Sequence, residues 1–211
     1  MKLKIPRQIK SQKVKEGIFA AAQELMLQKG YEYVTVANVC LAAGVSAGSF
    51  YHHFQSKDEL LAYYFIAGYE KHRDQFEAIS GKDVIKNVTD TYGVFIEYCL
   101  EQNLSFMKSF YTPENKGLRV LPTSGDDPTA VNASMVARTA GFIEDAKGEG
   151  HIPETVEPRK LAMEMCTLVK GCIFEWCVND GYLDLSEFVH KMLNTYMLGV
   201  VTDTYRKKML T

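Results

Sequence analysis

The chain has 211 residues, 46% hydrophobic and 24% charged, with a formal net charge of −2, an ordinary folded composition that suits a small module plus one larger core. No stretch approaches the roughly 18–20 uninterrupted apolar residues of a membrane helix, and the basic start lacks the apolar h-region of a signal peptide, so a cytoplasmic protein without a membrane partner is expected. The small total charge conceals a split: through Lys57 there are eight Lys and Arg against three Asp and Glu, a net of +5, and beyond it sixteen against twenty-three, a net of −7.

Lys2, Lys4, Arg7, Lys10, Lys13 and Lys15 all precede the first acidic residue, a basic arm leading into a helix that begins near Ser11. Phosphates suit such a run. Thr35 is an N-cap, because its side-chain oxygen can accept an orphan backbone N–H, and Val36, Val39 and Cys40 then recur at helical spacing. The short helix runs out at Ala42-Ala43-Gly44, where Gly44 takes the permissive C′ position, Val45 forms an apolar plug and Ser46 caps the next helix. That helix holds Phe50 and Phe54 on one face and leaves Ala47, Gly48, Ser49, Tyr51, His52 and His53 largely on others. Ser56-Lys57-Asp58-Glu59 is a capping box that opens a third helix. Two helices on a glycine-containing turn of about 3–4 residues make a helix-turn-helix, whose second helix presents its N-terminal residues to the major groove. The competing reading is a surface hairpin whose small residues merely pack.

Beyond this reader the pattern is helical throughout, without strand-like alternation. One long helix runs from about Lys57 to Ile79 and stops at Ser80-Gly81, and another spans roughly Asp83 to Gln102, with Val88, Tyr92, Phe95, Ile96 and Cys99 on a stripe. A shorter helix covers about Leu104 to Tyr111, and the Gly-, Pro- and polar-rich stretch from Pro113 to Pro128 reads as a loop. Three more helices follow, about Thr129–Ala146, Pro158–Asn179 and Leu185–Lys208.

In register, Gly30, Thr35, the Ala43-Gly44-Val45-Ser46 turn, Gly48, Phe50-Tyr51, His53-Phe54 and Lys57-x-x-Leu60 make residues 11–65 resemble the TetR/AcrR family of one-component transcriptional regulators. The resemblance implies an all-α fold with two domains: 1–56, a basic arm and three-helix DNA-binding domain with the helix-turn-helix, and 57–211, a larger helical effector-binding and dimerisation domain. It implies that Thr35, Tyr51, His53 and Lys57 touch the backbone of double-stranded operator DNA while Ala37, Ala47, Gly48 and Ser49 face bases. The chemistry agrees: a phenol, an imidazole and an ammonium beside a helix N-terminus suit phosphate. Near the bases only Ser46 and Ser49 offer hydrogen-bonding side chains, so thymine methyl contacts, backbone approach and duplex shape are expected to carry much of the specificity.

The last two helices carry more apolar residues than one buried face needs. A homodimer through a four-helix bundle is expected, with Leu168, Gly171, Cys172, Trp176, Val189, Met192, Leu193, Tyr196 and Val200 at the interface; the competing reading is ordinary core within one chain. Between linker and dimer helices, Tyr92, Phe95, Tyr98, Phe106, Met107, Phe110, Tyr111, Met135, Phe142 and Met163 form an aromatic and methionine-rich set suited to a pocket for a small, largely apolar effector. Arg138 is the candidate to pair with an acidic effector. The five cysteines, Cys40, Cys99, Cys166, Cys172 and Cys177, read as reduced core thiols, with redox or metal sensing by Cys172 and Cys177 as the alternative. Two rival functions remain: an all-helical enzyme, for which no His-Glu-x-x-His, Gly-x-Ser-x-Gly or phosphate-cradling loop is present, and a partner-binding protein with a vestigial reader. No enzyme activity, cofactor or metal is expected.

Overall fold

Every regular element among the described residues is helical. In this computed structural model the described residues are 7–113, 115, 118 and 131–209. Lys2 and Lys4 of the basic arm, most of the loop read from Pro113 to Pro128 and the helix start at Thr129 lie outside them. The chain divides into two compact units, Met1–Ala67 and Gly68–Thr211.

The first unit opens with α1, Arg7–Lys29, which starts ahead of Ser11. Arg7 and Lys10 are therefore helical. Gly30, at φ 81°, turns the chain into a single 3-10 turn over Tyr31–Tyr33 that the sequence pattern does not announce. Helix α2, Val36–Ala43, is capped as its sequence dictates: Thr35 Oγ1 accepts the Asn38 N–H at 3.2 Å. Its other end closes at Gly44, φ 64° and ψ 33°, with Val45 N–H donating to Cys40 O at 3.0 Å and Gly44 N–H to Leu41 O at 3.3 Å. These are the paired bonds of a left-handed helix stop, which a side chain at position 44 would strain.

Helix α3, Ala47–His53, begins under the Ser46 cap, whose Oγ accepts the Ser49 N–H at 3.1 Å. Phe50 and Phe54 are both essentially inaccessible and stand 5.8 Å apart, in a core shared with Ile18, Val34, Val39, Leu60 and Leu61. Helix α4, Lys57–Tyr69, starts at the expected capping box, with one difference. Ser56 Oγ accepts the Glu59 N–H at 3.2 Å, but Glu59 Oε2 reaches back one residue beyond the serine, to the Gln55 N–H at 2.6 Å.

In the second unit two helices that the sequence reads as continuous are divided. The 57–79 helix is α4, a 3-10 turn at Glu70–His72, and α5, Arg73–Ala78. At this place the Tyr98 ring lies against the backbone of Gly68: a Cβ there would meet Cζ at 2.9 Å and Cε2 at 3.0 Å. Next come α6, Val84–Glu101, capped by Asp83, and α7, Leu104–Phe110, capped by Asn103. Helices α8, Val131–Gly148, and α9, Pro158–Val178, follow.

The expected 185–208 helix is α10, Leu185–Val200, and α11, Asp203–Met209. Thr202 explains the break. Its N–H donates to His151 O at 2.9 Å and its hydroxyl to Gly150 O at 3.2 Å, so both groups bind the loop between α8 and α9 instead of extending α10. Tyr205 Oη then donates to Asp83 Oδ1 at 2.8 Å, tying α11 to the start of α6. Helices α8, α9, α10 and α6 close a cycle of packed neighbours around the core of this unit.

Candidate nucleic-acid interface and a buried polar cluster

Thr35, Ala37, Ser46, Ala47, Gly48 and Tyr51 are exposed, while Ser49, His53 and Lys57 are half-buried. Thr35 and Ser46 each use an oxygen lone pair on a cap, which fixes the hydroxyl and leaves its O–H as a donor. Tyr51 keeps 55% of its surface accessible, and its ring meets Phe50 edge-on at 5.4 Å, so the phenol is held outward from an anchored base. A methyl group added at Gly48 would have Ser46 Oγ as its nearest neighbour, at 3.8 Å, so this face is shallow.

Two interactions of this surface are not legible in the sequence. Lys57 Nζ lies 3.9 Å above the centre of the Tyr31 ring, so an aromatic residue of the 3-10 turn holds the ammonium at the start of α4. Lys15 Nζ sits over Tyr63 at 4.5 Å and over Phe54 at 5.4 Å, which fixes one of the basic charges of α1 beside the reader. No periodicity rule links Tyr31 to Lys57 or Lys15 to Tyr63; only the folded chain brings them together. His53 titrates below the usual histidine range, because burial disfavours its charged form and His52 and Lys15 repel it. An ammonium, a phenol, an imidazole and two fixed hydroxyls on one small unit make a surface for a polyanion, with little side-chain hydrogen bonding left for base edges.

In the second unit Tyr92, Phe95, Phe106, Met107, Phe110, Tyr111 and Met135 are all buried, whereas Phe142 and Met163 are half-buried. Phe106 stacks on Phe110 at 5.6 Å, and Phe110 meets Tyr111 at 5.8 Å. Tyr69, which the sequence does not single out, joins this set by donating to Met135 Sδ at 3.0 Å; burial pushes its phenol up to about 12. Arg138 does not stand ready for an acid. Its guanidinium donates to the Phe76 and Ile79 carbonyls, the latter at 3.1 Å, and covers the Phe142 ring at 5.4 Å. At the end of α5 the Phe76 carbonyl accepts the Ile79 N–H at 3.2 Å, and this cation adds a donor to it and to the Ile79 carbonyl beyond.

Among the described residues, Tyr92 Oη, Tyr111 Oη and Thr139 Oγ1 are buried hydroxyls of this core without a hydrogen bond of good geometry. The Tyr92 hydroxyl lies within hydrogen-bonding reach of the Thr139 hydroxyl and the Cys166 thiol, and Tyr111 is within electrostatic reach of Cys99, Cys166 and Cys177. Burial holds both phenols well above their ordinary range, so they are donors at any physiological pH. A buried hydroxyl without a partner costs about 1–3 kcal/mol.

The expected dimer residues separate into two groups. Cys172, Trp176, Val189 and Leu193 are 3%, 7%, 2% and 0% exposed within their own chain, because the packing of α9 against α8 and α10, and of α10 against α6, already consumes that face. Within their own chain they are core residues. Leu168, Met192 and Val200 are half-buried, and Gly171 and Tyr196 exposed. The large apolar side chains left outside on these helices are Phe174 at 52%, Val178 at 59%, Tyr196 at 36% and Leu198 at 37%. Thr167, Gly171, Phe174 and Val178 follow one another at helical spacing on α9, and Tyr196 Oη donates to Glu164 Oε2 at 2.8 Å alongside.

All five cysteines are buried free thiols. Burial raises Cys99, Cys172, Cys166 and Cys177, the last two to about 11, so their reactive thiolate forms are suppressed. Among the described residues no three His, Cys, Asp or Glu side chains gather as a metal site, and no helix is long and apolar enough to cross a membrane.

A tight helix-turn-helix in a small N-terminal unit, followed by a larger helical unit with a buried polar cluster, defines a two-unit helix-turn-helix protein. Residues 18–64, within the first unit, match the family of bacterial regulatory proteins named tetR. It is 32% identical over 81 residues to the HTH-type transcriptional regulator PksA of Bacillus subtilis; that match covers 38% of this chain and 40% of the relative. Against the HTH-type transcriptional regulator TtgR of Pseudomonas putida it is 23% identical over 88% of this chain and 90% of the other. The fold is similar to that of the Thermus thermophilus repressor FadR, solved in complex with lauroyl-CoA: TM-score 0.66, 18% identity, 87% of this chain and 93% of that one.

Proposed function

We propose that the protein is a DNA-binding transcription regulator that binds a palindromic operator as a homodimer and, acting as a repressor, releases it when a small, largely apolar effector occupies the second unit. The observation that carries the reading is the helix-turn-helix surface, where capped hydroxyls, the outward Tyr51 phenol and the ring-held Lys57 ammonium stand around a shallow face of small residues. Thr35, Tyr51, His53 and Lys57 serve the DNA backbone; Ala37, Ser46, Ala47, Gly48 and Ser49 face the bases. Two readers on half-sites about 34–36 Å apart, or a near multiple, require a dimer. The exposed apolar stripe around Gly171, Phe174, Val178 and Tyr196 is the face assigned to it, in place of the residues buried in the core. The bound lauroyl-CoA of the Thermus repressor supports a ligand in the second unit.

Helix α4 carries the chain from the first unit into the second and is the element through which an effector alters operator affinity. A coupling of about 1–3 kcal/mol changes affinity roughly 5–150-fold, enough for a switch.

Fluorescence-anisotropy binding to DNA upstream of the protein's own coding region, across a salt series, tests the reading. Steep loss of affinity with salt, weakened by both Tyr51→Ala and Lys57→Ala, supports it. Binding indifferent to salt and to both substitutions on every candidate operator sinks it and leaves a partner-binding role.

A further inference from the structure

We infer that Lys15 of α1 and His53 at the end of α3 hold one phosphate of the operator backbone between them, which makes Lys15 a DNA contact beyond the reader residues named above. The inference rests on the DNA-binding reading and deepens it. Lys15 Nζ stands over the Tyr63 ring at 4.5 Å and the Phe54 ring at 5.4 Å, and Phe54 directly follows His53. Tyr63 is itself braced: its ring meets Phe54 edge-on at 5.8 Å and Phe19 edge-on at 5.0 Å. The rings thus give this ammonium a fixed place, whereas Lys10 and Lys13 of the same helix are exposed. An aromatic face attracts a cation without offering it an oxygen or nitrogen acceptor, so donors of the ammonium remain for an anion. At the helical neighbour positions of Lys15 stand Ser11, Gln12, Ile18 and Phe19, none of them acidic.

His53 is in the same situation. On α3 its neighbour is His52, whose ring lies 5.0 Å away, and from α1 Lys15 repels its charged form; no carboxylate is among the groups that act on it. Helix α2 carries no charged residue, and at the start of α4 Lys57 lies over Tyr31, Glu59 accepts the Gln55 N–H and Asp58 is exposed. The fold therefore holds an ammonium and an imidazole side by side although they repel each other when both are charged. A phosphate has an unesterified oxygen for each and offsets that repulsion, and on DNA such full charges belong to the backbone, not to base edges.

The test is fluorescence anisotropy at mildly acid pH on the duplex from upstream of the protein's own coding region, with one phosphate per half-site at a time replaced by an uncharged methylphosphonate. The parent is compared with Lys15→Met, His53→Gln and Lys57→Ala, each checked for helical content; methionine keeps an apolar stem against the rings. At one position, neutralising the phosphate is expected to cost the parent about tenfold, Lys15→Met and His53→Gln only about threefold each, and Lys57→Ala the full tenfold. Lys15→Met is also expected to lower the slope of log affinity against log salt by about 0.9 per subunit, and Lys15→Arg, which keeps a cation over the rings, to restore it. If every neutralised phosphate costs Lys15→Met as much as the parent, or if the phosphate sensed by Lys15 differs from that sensed by His53, the inference is overturned and the DNA-binding reading stands. Should the parent itself bind without dependence on salt, both fall.

Discussion

Replacing Tyr31 with leucine is expected to weaken DNA binding without altering its dependence on salt. Lys57 Nζ lies 3.9 Å from the centre of the Tyr31 ring, and the lysine is half-buried at the first position of α4. Such a contact contributes about 0.5–1 kcal/mol at exposed sites and about 2 when desolvated; at about 1 kcal/mol per subunit, a dimer loses about 2 kcal/mol, close to 30-fold in affinity. The ammonium itself remains in Tyr31→Leu, so the phosphate charge count is unchanged. Lys57→Ala behaves differently: it removes a phosphate contact from each subunit and lowers the slope of log affinity against log salt by about 0.9 each, about 1.8 for the dimer. Tyr31→Phe keeps the ring and is expected to bind like the parent. Anisotropy titrations at several salt concentrations distinguish the three variants. Parental or tighter binding by Tyr31→Leu, or a slope change matching that of Lys57→Ala, would refute the idea that the ring places the ammonium.

Gly68→Ala gains about 1 kcal/mol of helix propensity but forces a methyl against the Tyr98 ring, which is 2% exposed, at an overpacking cost of about 1–3 kcal/mol. A Tm lowered by about 2–4 °C is expected, while Gly141→Ala on α8, with nothing within 4 Å of the new methyl, should raise it; a raised Tm for both would show that the Tyr98 contact yields freely. For His53, held below its ordinary value of 6.5 by burial, His52 and Lys15, a neighbouring phosphate favours the imidazolium, so the complex holds more protons than the free protein and affinity rises as pH falls through that range. His53→Gln should flatten this pH dependence of the anisotropy constants; an unchanged profile would remove His53 from the phosphate contacts. Phe174→Asp places a charge in the exposed stripe on α9 and is expected to yield monomers at micromolar concentration in sedimentation velocity, with DNA affinity falling in parallel. Parental mass in that variant would move the dimer face elsewhere.

What the sequence determined alone is the local grammar of the reader. Thr35, Gly44, Ser46 and Ser56 act through backbone groups a few residues away, so their caps and turn follow from side-chain chemistry and spacing, and the paired burial of Phe50 and Phe54 follows from helical period. The same short-range logic located most of the helices of the second unit. It misread the two long ones, because their breaks depend on distant partners: the Tyr98 ring lies against Gly68 where the first tightens, and the Gly150 and His151 carbonyls draw Thr202 out of the second. Burial on α9 and α10 had the same fate. Periodicity shows that a helix is apolar on more than one side, but only packing decides which side its own chain consumes, and it consumed Cys172, Trp176, Val189 and Leu193 while leaving Phe174 and Val178 outside. Arg138 could be seen in the sequence as a free cation; the tertiary structure commits it to the end of α5, because the carbonyls it meets there come from a helix about sixty residues away in the chain.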